Sequence, residues 1–227
     1  MVLVSVPPAV QAGTITLHPI ADTFGNVNAP DIPQGSQAGL VSGTSVFMSP
    51  VWDTYLKFDL TPLGSAVITG AALSLYQVDG YAPFARGGGT NLSRFGNDAW
   101  SEDTLTWNNQ PALGPSALFA WNADDGLYRG WSTWTWTPTA GDPILDLTPG
   151  NGLLSLFLME DFHTADAHTW LARDYVNYPG AIDLYGADKM PFLTITTLET
   201  TGIPEPSTLI LIGCGLAGLS LARRRRT

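Results

Sequence analysis

Eight tryptophans stand in this chain of 227 residues, and four of them fall close together: Trp121, Trp131, Trp134 and Trp136. The flat face of a sugar ring stacks well on an indole, so a row of exposed rings can hold polysaccharide. The same rings bury large apolar areas, which leaves two readings open for the cluster, a glycan platform or part of the core. Tyr128 and Tyr175 are further candidates of the same kind. Trp100 and Trp107, in "WSEDTLTWNNQP", are assigned to packing and loop anchoring, with Asn108 and Asn109 holding a turn through side-chain-to-backbone bonds.

A second cluster, "MEDFHTADAH", offers oxygen ligands in a loop after a strand. Glu160, Asp161 and Asp166 could hold Ca²⁺ there, the competing reading being a solvated acidic loop. His163 and His168 are five residues apart, which places them on no common face of a helix or strand and argues against a transition metal. Glu102 with Asp103 is an acidic pair of the type glycoside hydrolysis requires, but an acidic β-protein offers such pairs freely. His18 has no evident partner and is assigned to structure. No H-E-x-x-H or G-x-S-x-G is present, Gly87-Gly88-Gly89 lacks the Lys-Ser/Thr of a phosphate loop, and the one cysteine, Cys214, lies in an apolar tail. No catalytic residue and no obligatory cofactor are therefore expected.

The residues available to position these groups are those of a β-protein. Charged residues make up 13%, aromatics 11%, and there are 24 glycines and 17 prolines, a composition that favours strands and turns over helices. The formal charge is −10, yet four of the ten basic residues are the closing Arg223, Arg224, Arg225 and Arg226. Before residue 203 six basic residues face nineteen acidic ones, a balance that repels phosphate backbones and excludes nucleic acid as a natural partner. Short apolar or alternating runs closed by turn residues recur: "GTITLHPI", "DTYLKFDL", "AALSLYQVDG", "STWTWTP", "GLLSLFLMED", "TWLARDYV" and "PFLTITTLE". In "DTYLKFDL", Leu56, Phe58 and Leu60 share one face and Tyr55, Lys57 and Asp59 the other, the pattern of a half-buried strand. Residues 25–50, rich in Gly, Ser, Pro and Asn, are expected as irregular loop, and residues 80–90 as a flexible turn. The expected fold is all-β, an antiparallel β-sandwich of jelly-roll type with a barrel as the alternative, followed by a C-terminal hydrophobic helix.

Both ends differ from the body. Residues 1–12 are apolar, with Val10 and Ala12 at the −3 and −1 positions of a cleavage site before Gly13, and are expected to be part of a longer signal peptide. Near the other end, Pro204-Glu205-Pro206 precedes an uncharged apolar run over 208–222 and then the four arginines. As a helix the run spans roughly 22 Å against a hydrocarbon core of about 30 Å, so it inserts only with thinning or snorkelling. Its arginines would stay cytoplasmic and leave the body outside. This order closely resembles the PEP-CTERM sorting signal. The resemblance implies a Gram-negative exporter that makes extracellular polysaccharide, a transient stay in the inner membrane, and an exosortase that removes the tail near the PEP motif.

The body carries a resemblance of its own. "YLKFDL" at 55–60, "ALSLY" at 72–76 and "WSEDTLTWNNQP" at 100–111 follow in order, with "ADTF" at 21–24, "ILDLTP" at 144–149 and "LARDYVN" near the close. Together, over about 18–197, they resemble the DNRLRE domain, also described as carbohydrate-binding module family 96. The family implies a β-sandwich on secreted or surface proteins and polysaccharide binding, of alginate type for some members. Where the family has an Arg-Glu pair after "LA", this chain has Arg173-Asp174. The expected organisation is a partial signal peptide at 1–12, a sandwich at 13–200 and a sorting signal at 203–227. The expected function is that of an exported, non-catalytic matrix or envelope protein that binds extracellular polysaccharide. A purely structural matrix protein and a polysaccharide-degrading enzyme are the alternatives.

Overall fold

The computed structural model describes residues 10–44, 50–64, 66–81, 89–95, 98–111, 118–123, 130–138, 151–160 and 167–200. Two compact units are distinguished: Thr14–Thr197, which holds the core, and Met1–Gly13 with Leu198–Thr227, of which the described residues are strand ends. The described residues form eleven strands: β1 (Val10–Leu17), β2 (Ala21–Asn26), β3 (Gly39–Thr44), β4 (Pro50–Asp59), β5 (Val67–Tyr81), β6 (Gly89–Phe95), β7 (Leu118–Ala123), β8 (Gly130–Trp136), β9 (Leu153–Glu160), β10 (Ala167–Leu171) and β11 (Phe192–Thr200). The single α-helix among the described residues, α1 (Pro179–Tyr185), follows a 3₁₀ turn at Arg173–Asn177. No helix among the described residues is long and apolar enough to cross a membrane, and the tail at 208–222 lies outside them.

The strands form one curled antiparallel sheet in the order β1-β11-β5-β10-β3-β4-β9-β6-β7, with β2 added to β4 and β8 to β5. Two long strands make the curl. β4 pairs with β3 near Trp52 and with β9 from Thr54 to Asp59. β5 pairs with β8 from Ala71 to Gln77 and with β10 from Gln77 to Tyr81. The sheet thus folds back as an all-β sandwich. Leu56, Phe58, Leu92, Leu154, Leu156 and Leu158 point inward from one layer, and Leu73, Leu75, Trp134, Trp136, Leu193 and Ile195 from the other. Trp134 Nε1 donates to the Thr90 carbonyl at 2.8 Å and ties the layers together. The alternating pattern drives this arrangement: Leu56 and Phe58 of β4, Trp134 and Trp136 of β8, and Leu154, Leu156 and Leu158 of β9 stand at alternate positions, and burial of each such side chain contributes about 1.5–3 kcal/mol.

The outer face of β4 is covered as well, which corrects the half-buried assignment. Residues 98–111 cross it as a clasp, forming a second cluster of Tyr55, Phe157, Trp100, Leu105 and Ala21. Trp100 Nε1 donates to Ser155 Oγ at 3.0 Å, Lys57 Nζ donates to the Trp100 carbonyl, and its ammonium lies 4.4 Å from the indole centroid. Burial draws the Lys57 pKa downward, opposed by Asp98 and Glu102. Asn109 does hold the turn: its Oδ1 accepts from Thr106 N at 2.7 Å and its Nδ2 donates to the Thr104 carbonyl at 2.7 Å.

Three local expectations are revised. β3 lies inside residues 25–50 and forms with only Leu40 and Val41 as apolar residues of its own, because β10 and β4 supply partners on both of its edges. "TWLARDYV" leaves the sheet at Leu171 and turns into the 3₁₀ segment. The helix α1 has no buried residue and no apolar period by which to foresee it.

Candidate functional site

β8 sorts its tryptophans between two environments. Side chains alternate across a strand, so Trp134 and Trp136 share a face that residue 131 cannot share. Trp134 is 1% exposed and Trp136 8%, both within the core, whereas Trp131 is 42% exposed. The four-ring platform is corrected accordingly, since buried indoles cannot receive a sugar. Trp121 sits on β7 opposite Asn91, with its side chain outside the described residues, as is the whole of Tyr128. Tyr175 is fully buried and structural: its hydroxyl donates to the Gly186 carbonyl at 2.9 Å and accepts from Lys189 N at 2.7 Å.

What surrounds Trp131 was not legible as a site. Tyr76 is its cross-strand partner on β5, with ring centroids 5.4 Å apart at 82°. Phe192, opening β11, meets the indole at 5.0 Å and 66°, and Tyr185, ending α1, stands 6.3 Å from Tyr76. Inclined ring contacts of this kind hold the indole in place, and each is worth about 0.5–1.5 kcal/mol beyond area burial. Lys189 Nζ lies 5.5 Å from the Tyr76 centroid and 6.0 Å from that of Trp131, and donates to Asp188 Oδ1 at 2.8 Å. The bond to Asp188 raises the Lys189 pKa and lowers that of Asp188. The patch is therefore a braced, half-exposed indole with an ion-paired ammonium 6.0 Å over its ring. Such a surface can stack a pyranose ring. Only Trp131 had a signal in the sequence, through its odd separation from Trp134 and Trp136. Tyr76, Phe192, Tyr185 and Lys189 reach it through pairing and chain reversal.

The acidic pair Glu102–Asp103 has a structural setting. Arg173 Nη2 bridges to Glu102 Oε1 at 2.8 Å and to Asp174 Oδ2 at 3.0 Å, and its Nε donates to Asp174 Oδ1 at 3.1 Å. Glu102 Oε2 accepts from Asp22 N at 3.1 Å, and Asp22 Oδ2 accepts from Arg173 N at 2.6 Å. Asp174 thus gives Arg173 the adjacent carboxylate that the Arg-Glu pattern would supply. Bonding to Asp174 and Glu102 raises the Arg173 pKa further. Asp22, buried with its Oδ1 unpartnered, is pushed up to about 7, desolvation outweighing its bond to Arg173. Asp53, in the neighbouring strand, is raised to about 7 by burial alone. This cluster fastens the clasp and the 3₁₀ turn to β2.

Of the calcium candidates, Glu160 closes β9 with its side chain outside the described residues, and Asp161, His163 and Asp166 also lie outside them. His168 is buried and stacked on Trp170 at 5.7 Å and 19°. Among the described residues no group of three His, Cys, Asp or Glu side chains could hold a metal. His18 is structural, its Nδ1 lying 2.9 Å from the Pro191 carbonyl oxygen.

Residues 13–140, more than half of the chain, match carbohydrate-binding module family 96, and residues 202–226 match the PEP-CTERM protein-sorting motif. The Clostridium thermocellum N-terminal endo-1,4-β-D-xylanase 10B, its CBM22-1–GH10 modules complexed with xylohexaose, is similar at 6% identity and a TM-score of 0.31. The match covers 87% of this chain but only 30% of that one. Winged bean acidic lectin, complexed with methyl-α-D-galactose, is similar at 8% identity and a TM-score of 0.29, with 83% and 100% of the two chains covered. At these scores neither likeness bears on fold or ligand. The chain matches no curated protein. With "YLKFDL" running as β4, "ALSLY" as β5 and "WSEDTLTWNNQP" as the clasp across the sheet, the chain belongs to carbohydrate-binding module family 96.

Proposed function

We propose that this protein is an exported, non-catalytic polysaccharide-binding module whose ligand stacks on Trp131, and that an exosortase processes its tail during sorting to the cell surface or matrix. One observation carries the binding role: in a carbohydrate-binding module, a tryptophan 42% exposed stands at the surface with its ring packed against Tyr76 and Phe192. Sugar faces pair with such rings because the indole combines a large apolar area with little conformational entropy to lose. The sorting role is supported by the PEP-CTERM motif at 202–226.

The test is affinity electrophoresis of the full chain in detergent against a panel of soluble polysaccharides. The parent protein should be retarded by at least one polymer, and Trp131→Ala should abolish the retardation. Retardation by no polymer would leave a purely structural matrix protein as the better account. Shortening of polymer chains by the purified protein would replace the non-catalytic assignment.

A further inference from the structure

The strand face that bears Trp131 continues beyond the aromatic patch. Outward positions of β8 after Trp131 are Thr133 and Thr135, both exposed, while Trp134 between them is buried. Their cross-strand partners on β5 are Ser74 and Ala72. Ser74 Oγ and Thr133 Oγ1 are 3.0 Å apart and share a hydrogen bond. On the other edge of β5, β11 buries Leu193, Ile195 and Thr197, which turns Thr194 and Thr196 outward behind Phe192. From Trp131 to Thr135 the strand rises about 13 Å, and the three strands span about 10 Å across. The face therefore holds more than one sugar ring.

At these outward positions the polar side chains of β8, β5 and β11 carry hydroxyls, and the Lys189–Asp188 ion pair stands beside them. A threonine or serine hydroxyl both donates and accepts, the same capacity that a sugar hydroxyl presents. Recognition of carboxylates uses a different set, arginine forks or free ammonium groups. Among the described residues the one cation seated at this face is Lys189, already paired with Asp188. The chain before residue 203 carries six basic and nineteen acidic residues, so the long-range field also repels polyanions.

Taking the Trp131 platform as the binding site, we infer that its ligand is an uncharged polysaccharide lying over the hydroxyl-bearing outer face of β8, β5 and β11. The experiment compares the full chain in detergent against two neutral polymers, a β-glucan and a galactomannan, and one polyuronate, alginate, each at low and high salt. A neutral polymer should bind with little salt dependence and alginate should bind weakly or not at all. The double substitution Thr135→Val and Thr194→Val keeps the β-branched shape, removes two hydroxyls and leaves the Ser74–Thr133 bond intact, and should weaken neutral-polymer binding about five- to tenfold with an unchanged melting temperature. Alginate binding as strong as neutral-polymer binding, and lost in Trp131→Ala, would overturn the neutral-ligand inference and leave the platform standing. Neutral binding untouched by the double substitution would overturn the role of the hydroxyl face. Failure of every polymer to bind would remove the platform itself.

Discussion

Trp131 and Trp134 are three residues apart and do opposite work. Trp131→Ala gives up edge contacts worth about 1 kcal/mol in stability while removing glycan retention, whereas Trp134→Ala empties a core position at a cost of about 3–5 kcal/mol. Chemical denaturation beside affinity electrophoresis separates the two. This division was half legible in the sequence, since strand parity puts 134 and 136 together and 131 apart. Which face turns inward needed the register with β5. Two carboxyls set a second expectation at this scale. Asp22 and Asp53 titrate near 7 in the fold against 3.8 in the unfolded chain, so the native state binds more protons between those values. Stability therefore falls as pH rises from about 4 to about 7 and levels off above. Asp53→Asn, which removes one of these charges, should stabilise by about 1–3 kcal/mol at pH 8 and by almost nothing at pH 3.5, as read by denaturation at both values.

The clasp shows what a sequence motif can and cannot reveal about an element. "WSEDTLTWNNQP" was legible as a family signature and its Trp and Asn residues as packing and turn residues, and the structure puts them there. Its seat was not legible, because Tyr55 and Lys57 alternate with apolar residues as if they faced water. Charge burial beneath Trp100 is a tertiary event with no local signature. The chain entering the clasp region is as closely fitted: a Cβ on Gly35 would lie 2.4 Å from the Glu102 carbonyl oxygen, a backbone atom with little room to move. Gly35→Ala should thus lift residues 101–103 and cost about 1–3 kcal/mol, seen as a lower melting temperature and faster hydrogen exchange at Thr104 and Leu105. β3 eluded the sequence for the complementary reason. It has few apolar residues of its own, and its strand conformation is fixed by the two neighbours that pair with it.

For the molecule as a whole, activity and address occupy separate stretches of chain. The family match ends at 140 and the sorting motif begins at 202. Both identities were legible because each rests on ordered residue types at fixed spacing, which sequence preserves directly. Substituting Pro204, Glu205 and Pro206 together by alanine should leave an unprocessed full-length precursor in the membrane fraction, detected by immunoblot of fractionated cells. Glycan retardation of that precursor in detergent should match the parent's, since the substituted residues lie outside the body that carries Trp131.

The wiring of the sheet has a consequence for how such a chain folds. Among the described strands the last, β11, is inserted between the first, β1, and β5, and Arg173 binds both Asp22 and Glu102. Neither junction can form until nearly all of the body has been synthesised. Contacts this distant in sequence are slow to close, which holds the chain short of its final structure for longer than a chain of local hairpins. A fold closed by contacts so far apart in sequence completes itself late.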